Sequence, residues 1–345
     1  MNVALISGWH VHADEYFNRF NNNPDSQITA VWDELPDRGR AFAAKNGSRF
    51  YESYDELIAD PTIDAVCITS PTNLHPELMI KAAKAGKHIF TEKVLAITPE
   101  DARAITKAVK DAGVIFTICF PHESEPPFLV IRDLLDSGKL GKITYAKFRK
   151  AHTGSIDNWL PAFFYDKEQC GGGAMMDLGA HPMYLLEWAL GKTKAVTSTF
   201  TDMTDRGVED NAVSVLEFEG GAIGVSETSF VSWGNPLVFE ISGTDGWLLM
   251  TDSEIRYQTR ESGGWVHPQL PARAPHPVDY FVDSVKSGKQ GDMYTVEEAL
   301  NLTLLMDAAY KSAYRGNKIT VEAESKNFRR KSEVFYWYRT GSWVK

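Results

Sequence analysis

A chain of 345 residues is too long for one ordinary hydrophobic core, so two domains are expected. Apolar residues at 43% against 24% charged give the balance of a globular protein, and no run approaches the ~18–20 apolar residues that cross a bilayer. The formal net charge of −10 argues against a nucleic-acid surface, which needs a basic stripe.

The first segment, Met1–Ile6, has no basic leader and runs straight into a strand, so a cytoplasmic protein is the expectation. Strand Asn2–Ile6 is followed by a helical pattern over Val11–Phe20, a strand over Gln27–Trp32 and a helix over Arg38–Lys45. Asp64–Thr69 is again a strand, His75–Ala85 a helix closed by Gly86, and His88–Lys93 a short apolar strand ending in an acid and an amine. Thr98, with Glu100 and Asp101 behind it, caps the next helix, and Val114–Cys119 is the last strand of the series. Strands of roughly 5–6 residues alternating with helices of roughly 10–15 predict a parallel sheet covered on both faces. Cys67, Cys119 and Cys170 are scattered without metal-ligand spacing, and the first two read as small core residues.

In such a fold the first strand–helix turn carries the glycines that admit a dinucleotide pyrophosphate. Here it reads Ser7-Gly8-Trp9-His10-Val11-His12, so the three glycine positions of G-x-G-x-x-G fall on Ser7, Trp9 and His12. Gly8 supplies the turn one residue late, and the helix start still offers free N–H groups to an anion. His10 and His12 alternate as a metal pair would, but no third ligand is near in sequence, and no metal site is expected. Asp33 ends the second strand where a carboxylate can accept from both ribose hydroxyls, which favours NAD over NADP. Arg38 and Arg40 keep NADP open, and Asp33 could equally be a turn aspartate before Glu34-Leu35-Pro36.

The run Asp64-Ala65-Val66-Cys67-Ile68-Thr69-Ser70-Pro71-Thr72-Asn73-Leu74-His75, with Ala85-Gly86-Lys87-His88 and then Glu92-Lys93, resembles the Gfo/Idh/MocA oxidoreductases, the family of glucose–fructose oxidoreductase and inositol dehydrogenase. Leu134–Ile143, the segment Gly171-Gly172-Gly173-Ala174-Met175-Met176-Asp177-Leu178-Gly179-Ala180-His181, Asp210-Asn211-Ala212 and a final helix around Glu297–Arg315 extend the similarity over roughly residues 1–321. The resemblance implies an α/β fold: an N-terminal Rossmann doubly wound parallel sheet and a C-terminal α/β domain. The second domain would carry a large, open, mostly antiparallel sheet, often buried in a homo-oligomer interface. We place the domains at 1–122 and 123–322, with an aromatic-rich tail at 323–345. Thr144–His152, Ala195–Phe200, Ala212–Phe218, Ala222–Phe230, Leu237–Ser242 and Gly246–Met250 have the β-branched, aromatic and alternating character of half-buried strands, and Glu219-Gly220-Gly221 reads as a hairpin turn. Two positions depart from the family: Val94 follows Lys93 where a proline is usual, and Tyr184 stands where the family has an aspartate.

Asp177 and His181, four apart, share one face of a helix, and a carboxylate beside an imidazole raises its basicity. His181 is the candidate to take a proton from a substrate hydroxyl, with Lys93 stabilising the developing alkoxide and Asp177 orienting the imidazole. Through the resemblance, Ser7, Gly8, Trp9, His10, Asp33, Pro71, Asn73, His75, Glu92 and Lys93 form the cofactor-binding set. By strand alternation Glu92 points away from Lys93 and reads as mainly structural. His122, Arg149, His152, Asp157 and Trp159 are substrate-facing candidates, since polar groups beside an aromatic platform suit a sugar. The expected activity is NAD(P)-dependent hydride transfer at a secondary hydroxyl of a sugar, cyclitol or related polyol. Two rivals are a nucleotide-binding regulatory protein and an NAD-assisted glycoside hydrolase. The tail aromatics Phe335-Tyr336-Trp337-Tyr338 and Trp343 are expected to pack on this chain or a neighbouring subunit.

Overall fold

The computed structural model describes residues 1–234, 237–252 and 254–322. They form two compact units: Met1–Pro121 with Pro275–Thr303, and His122–Ala274 with 304–322.

In the first unit, β1 (Asn2–Ile6), β2 (Gln27–Trp32), β3 (Arg49–Phe50), β4 (Ala65–Ile68), β5 (His88–Thr91) and β6 (Phe116–Ile118) make one sheet in the order β3-β2-β1-β4-β5-β6. Every neighbouring pair is parallel. This is the doubly wound dinucleotide-binding order, with its switch point between β1 and β4. The central strands are apolar on both faces because helices cover both: Val3–Ile6, Ala65–Ile68 and Ile89–Phe90 are buried throughout. The helices are α1 (Ala13–Asn22), α2 (Pro36–Asn46), α3 (Tyr54–Ala59), α4 (His75–Lys84) and α5 (Pro99–Ala112). Thr98 caps α5 as expected, its hydroxyl accepting from the Asp101 N–H at 3.1 Å. The short β3 and α3 had no counterpart in the sequence reading, because two- and six-residue elements are below the length at which periodicity speaks.

A helix at Pro277–Ser287, within the linear segment 123–322, belongs to the first unit. Its Val278, Phe281 and Val282 join Phe20 and Phe90 in one core cluster, with Phe90 5.8 Å from Phe281. The chain therefore returns to its first sheet after building most of the second unit.

In the second unit, α6 (Pro126–Asp136) leads to β7 (Ile143–Ala151), then α7 (Lys167–Cys170), α8 (Ala174–Asp177) and α9 (Ala180–Leu190). There follow β8 (Thr193–Thr201), β9 (Asn211–Phe218), β10 (Ile223–Ser229), β11 (Leu237–Gly243), β12 (Gly246–Thr251), β13 (Glu254–Thr259) and, after the long helix Val296–Arg315, β14 (Ile319–Thr320). The sheet order is β13-β12-β11-β7-β10-β9-β8-β14, antiparallel except for the β7–β10 pair. The expected hairpin turn joins β9 to β10: the Gly221 N–H donates to Phe218 O at 2.9 Å, and Gly221 takes the positive φ of 83° that glycine tolerates. Along β9, Ala212, Ser214, Leu216 and Phe218 are buried, while Val213 and Val215 stay 42% and 41% exposed beside Ile223 at 47%, so the outer face carries an apolar strip. Packing of α9 on β7 and β10 covers the inner face. The tail aromatics from Phe335 onward lie outside the described residues.

Candidate active site

The turn after β1 shows why Ser7 stands at the first glycine position. Ser7 has φ 75°, a left-handed conformation that is unusual for a residue with a side chain. Its hydroxyl is used to hold the turn, accepting from the Trp9 N–H at 3.1 Å and from Arg38 at 3.2 Å. The Gly8 N–H donates to Asp33 Oδ2 at 2.8 Å, which ties the turn to the end of β2.

Asp33 is buried and receives four hydrogen bonds. The Leu35 N–H donates to Oδ1 at 2.8 Å, and the guanidinium of Arg38 closes on both oxygens, Nε to Oδ2 at 2.9 Å and Nη2 to Oδ1 at 2.7 Å. With the Gly8 bond these fill the roughly four acceptor positions of a carboxylate. Arg38 also bonds Glu34, while Arg40 turns outward to Asp37 and Glu52. Asp33 therefore organises its own turn, as a turn aspartate would.

At the carboxyl end of β5, the buried carboxylate of Glu92 gathers groups from the turn and from α1. His12 Nδ1 lies 2.7 Å from Glu92 Oε1, the Tyr16 hydroxyl donates to the same oxygen, and His10 Nδ1 is 3.9 Å away. The Lys93 N–H donates to Oε2 at 3.0 Å. Burial would raise the pKa of Glu92, but the positive charges of His10, His12 and Lys93 hold it well below the ordinary carboxylate range. His12 is raised despite burial, through its hydrogen bond to Glu92. Glu92 is thus the hub of a buried network that joins the turn after β1, α1 and the backbone at Lys93. Its partners, about eighty residues earlier, had no signal in sequence.

Lys93 is 9% exposed and its peptide bond to Val94 is cis. His75 closes on backbone: Nδ1 lies 3.1 Å from both Val94 O and Leu95 O, and Nε2 3.3 Å from Ser70 O. Its ring thus pins the chain that follows Lys93. Burial lowers the His75 pKa. Pro71 leads into a single helical turn, Thr72–Leu74, that holds Asn73 on the surface.

In the second unit the expected Asp177–His181 helix is broken. α8 ends at Asp177 and α9 begins at Ala180: the Gly179 N–H reaches back to Ala174 O and the His181 N–H to Leu178 O, both off the i→i−4 ladder, and Pro182 has no N–H to offer Leu178 O. The glycines of the motif serve close packing. A Cβ on Gly172 would sit 1.9 Å from the Tyr310 hydroxyl, and one on Gly173 would sit 2.1 Å from Glu209 O. Glu209 Oε1 accepts from the Gly173 and Met175 N–H groups at 2.8 and 3.0 Å and from Tyr310 at 2.6 Å. Glu209 and Tyr310, which the sequence reading missed, thereby hold the segment that carries Asp177.

His181 is buried at the start of α9, with the Tyr184 hydroxyl 3.4 Å from its Nδ1 and the His122 ring 4.9 Å away, edge to face. His122 is itself bracketed. Its Nδ1 lies 3.0 Å from Glu125 Oε2, and its Nε2 lies 3.0 Å from the Lys150 ammonium. Lys150 can only donate, so Nε2 accepts and Nδ1–H points at Glu125, which makes the ring neutral. Burial first, and then the Lys150 charge, lower the His122 pKa. His152 stacks on Phe230 with ring planes 2° apart at 5.0 Å, and the ring of Trp159, which is 56% exposed, lies 4.6 Å away, tilted. Burial lowers the His152 pKa, while the Asp177 charge raises it. Asp157 accepts from the Thr153 hydroxyl at 2.5 Å, and Arg149 pairs with Glu227 on the neighbouring strand at 3.5 Å and with Ser232. The structure thus gathers His122 with His181, and His152 with Trp159. Asp157 and Arg149 are bonded to Thr153 and to Glu227 with Ser232.

A doubly wound sheet in dinucleotide order, a tied phosphate turn, and a second unit carrying buried imidazoles define a two-unit NAD-binding oxidoreductase. Family comparison agrees across most of the chain. Residues 1–120 match the oxidoreductase family with an NAD-binding Rossmann fold, and residues 128–249 match the GFO/IDH/MocA C-terminal domain. The chain belongs to the Gfo/Idh/MocA family.

Among curated relatives, scyllo-inositol 2-dehydrogenase (NAD(+)) of Bacillus subtilis (strain 168) is 28% identical over 303 residues, 83% of this chain and 86% of that protein. The 1,5-anhydro-D-fructose reductase of Ensifer adhaerens is 30% identical over 227 residues, 65% of this chain and 68% of the relative. Among solved structures, a levoglucosan dehydrogenase in complex with NADH superposes with a TM-score of 0.83 at 22% identity, covering 94% of this chain and 100% of that one, which is a likeness of fold. No described helix is long and apolar enough to cross a membrane.

Proposed function

We propose that the protein oxidises a secondary hydroxyl of a sugar, cyclitol or related polyol with NAD, or runs the reverse reduction. The observation that supports this most is the switch point of the first sheet. Lys93 leaves the carboxyl end of β5, in the half of the sheet where such folds hold dinucleotides. The names of the relatives, an inositol dehydrogenase and an anhydrofructose reductase, support the substrate class.

The residues present fit a dinucleotide: Ser7 and Gly8 shape the turn for the phosphates, and Asp33 meets the adenosine ribose. Bound NAD supplies the hydride acceptor. His181 takes the proton of the substrate hydroxyl, and Lys93 stabilises the negative charge that grows on that oxygen. Neutral His122 and the Tyr184 hydroxyl fix the His181 ring. The His152–Trp159 platform offers an apolar face to a sugar ring. Asp177 orients the His181 imidazole, and its charge also raises the His152 pKa. The Asp33 carboxylate, which would repel a 2′-phosphate and already holds Arg38, makes NAD the preferred cofactor over NADP.

We further propose a cytoplasmic homo-oligomer, assembled through the outer face of the second sheet where Val213, Val215 and Ile223 are exposed.

The test is hydride transfer to NAD across a polyol panel, read as NADH absorbance, in wild type, Lys93→Ala and His181→Ala. Each substitution should cost at least about 100-fold in kcat while NADH fluorescence titration still reports binding. Full turnover in either variant would remove that residue's role. Turnover of a glycoside without net NADH would replace the reading with the hydrolytic one.

A further inference from the structure

His10 and His12 alternate in the turn after β1, and by sequence they lacked a third ligand. The fold supplies it. Glu92, from the far end of β5, brings its carboxylate to both rings, and the three possible ligand atoms lie within 4.8 Å of one another. We propose that His10, His12 and Glu92 form a binding site for a divalent transition-metal ion of the zinc class.

Two imidazoles and one carboxylate are a donor set that suits Zn2+, leaving a fourth position for water. In a tetrahedral site with bonds of about 2.0–2.1 Å, ligand atoms stand about 3.3 Å apart. Here His12 Nδ1 is 2.7 Å and His10 Nδ1 3.9 Å from Glu92 Oε1, so the observed spacings bracket that value. The widest separation in the group, up to 4.8 Å, must shorten by up to about 1.5 Å for the three to share an ion, a movement within reach of rotating imidazole side chains.

Oriented donors hold the carboxylate from outside, as metal-ligating groups need. The Lys93 N–H donates to Oε2 at 3.0 Å, and the buried Tyr16 hydroxyl donates to Oε1. Glu92 is buried, whereas the His12 side chain is 44% exposed and gives an ion an entry path. The ion takes the place of the proton shared between His12 and Glu92. It also displaces the contact of 3.2 Å from the His12 N–H to His10 Nδ1. Once bound, it clamps the Ser7–His12 turn to the end of β5.

The site is independent of the substrate reading, so the test contains no nucleotide and reads no activity. Chelator-treated protein is titrated with Zn2+ by calorimetry in wild type, His12→Asn, Glu92→Gln and, as a control for the nine histidines in the chain, His267→Asn. One equivalent should bind to wild type and to His267→Asn, and binding should weaken at least 10-fold in His12→Asn and Glu92→Gln. Should Glu92→Gln fail to fold, Co2+ added to wild-type protein gives the second readout. Intense visible bands of four-coordinate Co2+, lost in His12→Asn, support the site. No stoichiometric uptake, or uptake and spectra unchanged in His12→Asn, would overturn it.

Discussion

Glu187 gives the sharpest test of how this fold treats buried charge. It lies on α9, the helix that carries His181 in its first turn, and its Oε1 accepts from the Thr193 N–H at 3.2 Å. Burial penalises the ionised form and pushes its pKa from the usual 4.5 to about 7, while Thr193 and Lys192 pull weakly the other way. The folded state therefore holds a proton that the unfolded chain releases. Stability from this group is complete below about pH 4.5 and is lost as pH rises through about 7. The displacement corresponds to roughly 3 kcal/mol between those limits.

Glu187→Gln keeps the shape and the acceptor but cannot ionise. Urea unfolding followed by circular dichroism at about pH 4.5 and pH 8 should show wild type and variant alike at the lower pH. At the higher pH the variant should be more stable by up to roughly 3 kcal/mol. Parallel pH dependences for the two proteins would refute the reasoning, since they would mean Glu187 ionises as readily folded as unfolded.

Two further outcomes follow from the site. Gly172→Ala places a methyl group 1.9 Å from the Tyr310 hydroxyl, so urea unfolding should show a loss of about 1–3 kcal/mol. Tyr310→Phe in that background should not restore it, because the ring carbon beneath the hydroxyl would still be 2.7 Å away. Asp33→Ser removes the carboxylate that repels a 2′-phosphate and releases Arg38 to meet one. The ratio of NADPH to NADH affinity, read by nicotinamide fluorescence, should rise at least about tenfold; an unchanged ratio would place the adenosine end elsewhere.

Much of the first sheet could be read from the chain because its strands are apolar without interruption and its helices carry capping residues such as Thr98. The second sheet was legible through alternation, as along Ala212–Phe218. What escaped were features made by distance. Nothing in the sequence near Gly172 announces Tyr310, and nothing near His12 announces Glu92. The helix Pro277–Ser287 has an ordinary amphipathic pattern, so its return to the first core could not be told from packing in the second. The break between Asp177 and His181 was within reach: Pro182 was visible, but the bond it withholds lies toward the N-terminus, at Leu178 O.

The carboxylate of Asp33 is already fully engaged by Gly8, Leu35 and Arg38. On the proposed cofactor reading, an arriving ribose wins a place there only by evicting a partner, so that docking would be an exchange in which old bonds are surrendered for new ones. Such an exchange adds little tightness. Its value is discrimination, since a newcomer bearing a phosphate meets a fixed negative charge and a newcomer bearing hydroxyls does not.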